Sequence, residues 1–258
     1  MNLSKKEVHQ KIAELLVDLK LKGIKSSYED EIKEACVKDA SYEEFLYKLL
    51  EKEHDVQQEN GKQNRIRIAN FPYKKYLEDL IVEDLPEDGQ RKLKVLKTLD
   101  FIKDGQNVIL SGNPGTGKTH MSIGLGIKAC LEGYKVLFTT IPLLINQLKE
   151  SRSQRTLRAM ENKFEKYDLV IADELGYISF DKEGSELLFT HLSLRAGRKS
   201  TIITTNLEFN RWEEIFKDPV LTAAMIDRLT FKSFMVDMTG DSFRFKETQK
   251  WIQSEAKE

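Results

Sequence analysis

No stretch of the 258-residue chain is apolar over a length that could span a bilayer. The opening residues, MNLSKKEVHQ, carry no apolar core and no small-residue cleavage site, so no secretory signal is expected. Cysteine is scarce. Cys36 and Cys130 lie far apart in helix-like contexts, which speaks against a disulfide framework and for two reduced thiols in a cytoplasm. No Cys/His cluster has zinc spacing. A dominant charge is lacking as well: 41 Lys and Arg face 42 Asp and Glu, for a net −1. A chain that binds nucleic acid through bulk basicity looks different. Any surface for DNA must therefore be local, or be built by repeating a small basic patch in an oligomer. Internal repeats and low-complexity tracts are absent too. What is there is 40% hydrophobic and 32% charged, a globular composition with room for one α/β domain and a small appendage.

Residues 1–70 read as helices only. Three S-x-x-E runs, Ser4…Glu7, Ser26…Glu29 and Ser41…Glu44, have the form of capping boxes. Val8, Ile12, Leu15, Leu16 and Leu19 recur at helical spacing, as do Phe45, Leu46, Leu49 and Leu50. A small helical bundle is expected, with Gly23 as punctuation and Phe71-Pro72 as the stop, since proline disfavours helix in the residue before it. Residues 71–100 form a charged junction that turns helical again from Gly89. From residue 107 short apolar strands alternate with helical stretches: Asn107–Ser111, Lys135–Thr140, Asp168–Asp173, Ser200–Thr205 and Ser233–Met238. Near-continuous apolar strands in that rhythm mean a parallel sheet covered on both faces. The division is thus 1–70 helical and 71–258 α/β.

Gly112-Asn113-Pro114-Gly115-Thr116-Gly117-Lys118-Thr119 fits G-x-x-x-x-G-K-[ST] between a predicted strand and a predicted helix. Glycines let such a loop turn its N–H groups onto a phosphate, and the helix N-terminus adds positive potential. Lys118 would supply a point charge for the β- and γ-phosphates of ATP, and the Thr119 hydroxyl would ligate Mg²⁺. The strand ending in Asp173-Glu174 offers the second half of that site. Asp173 would hold the water shell of Mg²⁺ and Glu174 would polarise the attacking water. In ATPases of the ASCE class the strand that ends here in Thr204-Thr205-Asn206 lies between these two, so Asn206 is the candidate sensor of the γ-phosphate. The acidic pair favours water as acceptor over transfer to a small molecule, and so hydrolysis over a kinase.

Arg228, on a helical stretch, and Arg244, just past the last strand, are candidates for a phosphate role, with Arg195 and Arg198 as lesser ones. Arg152, Arg155 and Arg158 are spaced by three and share one helix face or one loop edge; with Lys163 they could meet a DNA backbone, or simply be a solvated face.

Taken together, several runs resemble the IstB-like ATPases, helpers encoded beside a transposase in insertion sequences and related to the DnaC/DnaI helicase loaders of the AAA+ class. They are the phosphate loop with Thr119-His120, the run Ile171 to Tyr177, the run Gly184 to Phe189, the run Thr201 to Leu207, and Trp212 to Val220. Leu19 to Gly23, Arg65 to Pro72 and Leu77-Glu78 resemble that family's N-terminal pattern. The resemblance covers almost the whole chain. It implies a AAA+ P-loop core with a five-stranded parallel sheet, a small N-terminal all-α domain and no C-terminal lid. It implies that residues 112–120, His120 included, hold the nucleotide. Asn206 would be the first sensor, Arg228 a trans-acting arginine finger and Arg244 the second sensor. It further implies an ATP-dependent homo-oligomer on duplex DNA, largely indifferent to sequence, that deforms its target and presents it to the transposase of the same element. A DnaC-like loader, gripping a replicative helicase through residues 1–70, is the alternative.

Overall fold

The structure is a computed structural model and describes residues 4–255. The chain divides between Asn64 and Arg65 into two compact units.

The first unit is helical: α1 (Lys5–Asp18), α2 (Lys22–Lys38) and most of α3 (Tyr42–Ile68). Ser4 and Glu7 make the expected reciprocal cap on α1, and Ser41 and Glu44 do the same for α3. Ser26 does not cap anything. It lies inside α2, where its hydroxyl and that of Ser27 both donate to the Gly23 carbonyl at 2.9 Å. Gly23 is likewise no punctuation between helices. An added Cβ there would come within 2.7 Å of the Glu53 Cα, so glycine lets α2 and α3 touch backbone to backbone. The start of α2 is capped across that contact, the Ile24 N–H donating to the buried Glu53 carboxylate at 3.0 Å. Leu16, Ile24, Tyr28 and Leu49 form the core of this unit.

In the second unit α3 ends at Ile68 and Asn70 takes a left-handed φ of 60°, with Pro72 just beyond, so the stop lies a little before Phe71-Pro72. The boundary also falls earlier than residue 70. Ile66 and Ala69 are buried in the core of the second unit, and the Ala69 carbonyl accepts from the Phe138 N–H at 2.7 Å. Two 3₁₀ turns, Leu77–Asp79 and Val82–Asp84, lead into α4 (Glu87–Leu96) and α5 (Asp100–Lys103). Then follow β1 (Val108–Ser111), α6 (Lys118–Leu131), β2 (Val136–Thr140), α7 (Ile141–Ser153), α8 (Leu157–Phe164) and β3 (Leu169–Leu175). After these come α9 (Lys182–Arg195), β4 (Ser200–Thr205), α10 (Glu213–Phe216), α11 (Pro219–Thr230), β5 (Phe234–Asp237) and α12 (Phe243–Glu255). All five expected strands form, in one parallel sheet of order β2-β3-β4-β1-β5. The phosphate-loop strand β1 and the acidic strand β3 are thus separated by β4, as expected for Asn206.

The sheet is buried on both faces because its strands alternate between two cores. Val108, Leu110, Leu169, Ile171 and Ile202 face α6. Ile109, Val170, Ala172 and Ile203 face α7, α9 and α11. Leu175 breaks the alternation. By parity it belongs with Leu169 and Ile171, yet it lies in the second core. One extra residue between Ala172 and Leu175 shifts the phase, and that β-bulge sits at Asp173-Glu174.

Candidate active site

A cavity of about 440 Å³ opens at the C-terminal ends of β1, β3 and β4. Its floor is the loop between β1 and α6. Gly115 in that loop has φ 82°, and a Cβ there would come within 2.2 Å of the Ser242 hydroxyl, so neither the turn nor the close passage of the chain before α12 admits a side chain. The loop hands over to α6 at Lys118, so the first N–H groups of a fourteen-residue helix, which have no intrahelical partner, point at the cavity. Lys118 is 8% exposed and donates to the carbonyls of Gly112 and Asn113, each at 2.6 Å. Burial, aided by Arg244 and opposed by Asp173, lowers its ammonium to about 8.

Across the floor Thr119 Oγ1 donates to Asp173, 3.1 Å from Oδ1 and 3.2 Å from Oδ2. Asp173 is buried, which raises its carboxyl above the ordinary value, while the hydroxyls of Thr204 and Thr119 and the charge of Lys118 pull it back. Glu174 sits on the bulge with φ 67° and is exposed, although the residues on either side of it are buried. Burial of its carboxyl and then the charge of Asp173 raise its pKa, against Arg244. The bulge thus turns two adjacent acids to different work: one faces the phosphate loop, the other the open cavity.

Asn206 lines the same cavity, and its Oδ1 is buried without a hydrogen-bond partner. Gly176 is what lets it stand there. With φ 113°, it would bring a Cβ to 2.7 Å from Asn206 Oδ1. Arg244, on the first turn of α12, lines the cavity from the side of β5; its helix is tied down by the Phe243 N–H donating to the Gly115 carbonyl at 2.9 Å. His120 lines it too, with its Nε2 donating to the Tyr76 carbonyl at 3.1 Å.

The remaining wall comes from the junction. Tyr73, Leu80, Ile81 and Leu85 close one side of the cavity. Sequence reasoning missed them because the run D-L-I-V-E-D-L-P has neither a helical nor a strand period; it folds as two single 3₁₀ turns. Thr204 was passed over as well, as one of two threonines before the asparagine. The wall sets Leu80, Ile81 and Leu85 among the charged Lys75, Asp79 and Asp84, and the floor is a polar cradle, an arrangement that suits a nucleotide: a flat base against Leu80 and Leu85, phosphates on the loop. The donor set of Thr119 and Asp173 fits Mg²⁺, which keeps most of its waters and takes one or two protein oxygens beside those of a phosphate. Among the described residues no three His, Cys, Asp or Glu side chains cluster as an all-protein metal cage would require.

Arg228 is not part of this cavity. It is exposed on α11, with its guanidinium over the Phe189 ring at 5.0 Å. The Trp212–Val220 run is what places that helix. Trp212 is 0% exposed and packs 4.9 Å from Phe209, Asp218 accepts from the Leu221 N–H at 2.9 Å as N-cap, and Pro219 takes a first-turn position. Arg195 has no phosphate role here. It is 1% exposed and donates to the carbonyls of Phe164, Tyr167 and Ser200 at 2.9, 3.1 and 2.9 Å, at the strand ends opposite the cavity. Arg198 is exposed in the turn that follows, also away from it. The basic run does not share a helix face: α7 ends at Ser153, Arg155 has φ 59° in the turn, and Arg158 lies in the first turn of α8. Arg152 pairs with Glu183 at 3.4 Å; Arg155, Arg158 and Lys163 are exposed.

Residues 14–251 match the model of the family described as IstB-like ATP binding protein. The chain is 35% identical over 213 residues to the insertion sequence IS5376 putative ATP-binding protein of Geobacillus stearothermophilus, covering 83% of this chain and 85% of that one. It is 34% identical over 236 residues to the insertion sequence IS21 putative ATP-binding protein of Pseudomonas aeruginosa, covering 92% and 89%. Among solved structures it is similar to DnaI, with a TM-score of 0.55, 19% identity and coverage of 69% of this chain and 94% of that one. The DnaC helicase loader follows at 0.51 and 18%, with 67% and 98% covered. The AMPPCP-bound DnaA of Aquifex aeolicus stands at 0.55 and 20%, with 71% and 56% covered. These likenesses show a AAA+ P-loop fold. With the family match spanning both units and the cavity lined by Pro114 to His120 and by Glu174, while Gly112, Asn113 and Asp173 stand behind it, the chain belongs to the IstB-like ATP-binding proteins and is an ATPase of insertion-sequence type.

Proposed function

We propose that this ATPase is a DNA-remodelling helper of transposition, which assembles with ATP on duplex DNA, hydrolyses the ATP between subunits, and recruits or regulates the transposase of its own element. The observation that carries this reading is the placement of Arg228. Lys118, Glu174, Asn206 and Arg244 line one cavity, while Arg228 stands exposed outside it. An arginine so placed can serve the phosphates of a neighbouring subunit, which makes each site complete only in an assembly. A cation supplied in this way is worth about 10³–10⁵ in turnover in related GTPase systems. The names of the relatives place them in insertion sequences, which argues for a transposase as protein partner and for work in the cytoplasm, beside the DNA.

Within the site the roles follow from position. Lys118 pairs with the β- and γ-phosphates and Arg244 with the γ-phosphate from the opposite side. Mg²⁺, held by Thr119 and through its waters by Asp173, would neutralise charge on the phosphate oxygens. Glu174, open to the cavity and with a raised pKa, polarises the attacking water. Asn206 Oδ1, buried and lacking a donor, is placed to accept from that water. His120 anchors the junction against α6 through Tyr76, and so holds the wall that takes the base.

Arg155, Arg158 and Lys163 are the exposed cations proposed to meet the DNA backbone, with Arg152 beside them in its pair with Glu183. Few contacts per subunit suffice if an oligomer repeats them. The observed affinity then falls with salt with a slope of about 0.9 per phosphate neutralised, summed over the assembly. Sedimentation of the protein with a duplex of arbitrary sequence, in ATP, in ADP and without nucleotide, tests the reading. A large complex formed only with ATP and DNA is expected. A monomer indifferent to DNA in every state sinks it, and leaves a DnaC-like helicase loader as the better account.

A further inference from the structure

We propose that Thr204 is the positioning residue of this site: its hydroxyl locks the bulge of β3, and so aims Glu174 at the cavity while holding the carboxylate of Asp173 in place. The inference rests on the hydrolytic reading of Asp173 and Glu174 and adds to it the group that holds both.

The register carries the argument. From Ile203 to Thr205 strand β4 advances two residues, while β3 advances three, from Ala172 to Leu175. The surplus residue has no place in the ladder, so an N–H is left without a strand partner. That N–H belongs to Glu174, and it donates to Thr204 Oγ1 at 3.0 Å. The same hydroxyl donates its own hydrogen bond to Asp173 Oδ1. One hydroxyl thus satisfies a stranded amide with a lone pair and a buried carboxylate with its hydrogen. Thr204 is 3% exposed, at the edge of the cavity.

Two consequences follow for the site. Glu174 holds a left-handed φ of 67°, a conformation that a residue with a Cβ keeps only when its surroundings over-determine it. The Thr204 hydroxyl grips its backbone from the neighbouring strand, with the Asp173 carboxylate also on the Glu174 N–H. Without that grip the strand can relax toward the regular ladder, and a one-residue slip carries the Glu174 side chain toward the other face. Asp173 in turn is held on Oδ1 by Thr204, while Thr119 Oγ1 lies across both of its oxygens at 3.1 and 3.2 Å, so the hydroxyl of Thr204 fixes the carboxylate against the first turn of α6. Strand β4, which ends at Thr205 with Asn206 just beyond it, therefore fixes the geometry of the acids as well as presenting its own amide.

The test compares Thr204→Val, which keeps the shape and loses the hydroxyl, with Thr204→Ser, which keeps the hydroxyl. Three quantities are read: the affinity for ATP by titration, kcat, and hydrogen exchange at the Glu174 amide. Thr204→Val is expected to bind ATP within about twofold of wild type, since the phosphate loop is untouched. Its kcat should fall on the order of 10²-fold, as for a misplacement near 1 Å. Its Glu174 amide should lose protection while amides in β1 and α6 keep theirs. Thr204→Ser should recover most of kcat and of the protection. If Thr204→Val unfolds, Thr204→Ala against Thr204→Ser is read in the same way. Equal losses in the valine and serine variants overturn the proposal, because volume and not the hydroxyl would then matter. So does a valine variant with normal kcat or a protected Glu174 amide. Glu174→Gln, measured alongside, separates the two levels. Normal turnover in that variant would sink the hydrolytic reading itself, whereas a slow Glu174→Gln beside a fast Thr204→Val sinks only the role of Thr204.

Discussion

Lys118 shows what burial does to a charge that must be ready for a ligand. Its ammonium is 8% exposed and is satisfied by the Gly112 and Asn113 carbonyls alone, so its pKa sits near 8, well below the usual lysine value. The charged form binds the phosphates. Below about pH 8 the free protein already carries the charge, and this group adds no pH dependence. Above that value a proton must be taken up on binding, so the association constant should fall by up to tenfold per pH unit. Titrations of ATP between pH 7 and 9.5, at fixed ionic strength and Mg²⁺, should bend near 8, and Lys118→Ala should bind weakly without that bend. Unchanged affinity across the range contradicts the assignment. Gly176 makes a second claim at this scale. A methyl group there meets both φ 113° and Asn206 Oδ1 at 2.7 Å, so Gly176→Ala should displace the asparagine. Turnover is expected to drop at least tenfold with ATP affinity little changed; a variant as fast as wild type would show that Asn206 does not act from where it stands.

At the scale of elements, the parallel sheet was legible because each strand carries its own apolar run, and a run buried on both faces needs no partner to be recognised. The phosphate loop was legible because its chemistry demands residue types at fixed spacing. The bulge was not. It arises from the registry of β3 against β4, and nothing in L-V-I-A-D-E-L announces that its phase shifts at the acids. The wall escaped for the converse reason: Leu80, Ile81 and Leu85 have no period to reveal them. The second serine signature failed because Ser26 has a better acceptor in the Gly23 carbonyl of its own helix. Helix pairing also sets the aim of Arg228. The Phe189 ring on α9 lies under its guanidinium on α11 at 5.0 Å. A cation–π contact holds the guanidinium without a hydrogen bond, so the ring orients the arginine without consuming its donors. Such a contact is worth about 0.5–1 kcal/mol at an exposed site. Phe189→Leu, which keeps apolar volume against the core, should lower assembly-dependent turnover about two- to fivefold and leave ATP binding by the isolated subunit unchanged. Turnover equal to or above wild type rules out the orienting role.

For the whole molecule the question is how a chain of net charge −1, with its arginine outside its own cavity, could act on DNA. The proposed head-to-tail assembly would answer both parts: it would repeat the few exposed cations of the α7–α8 region along the duplex, and it would bring Arg228 of one subunit to the phosphates of the next. The two halves of the site then sit on different chains, and two defective chains should complement each other. A Lys118→Ala subunit cannot hold ATP productively but still offers Arg228; an Arg228→Ala subunit holds ATP but offers no finger. Each alone should be nearly inactive on DNA. Mixed in equal amounts, random neighbours unite an intact Lys118 with an intact Arg228 at about one interface in four. ATP hydrolysis by the mixture should therefore recover toward a quarter of the wild-type rate, with the recovery dependent on duplex DNA and lost on dilution below the assembly concentration. If instead Arg228 acted within its own chain, no interface in the mixture would be whole, and the rate would stay at the average of the two dead variants at every ratio.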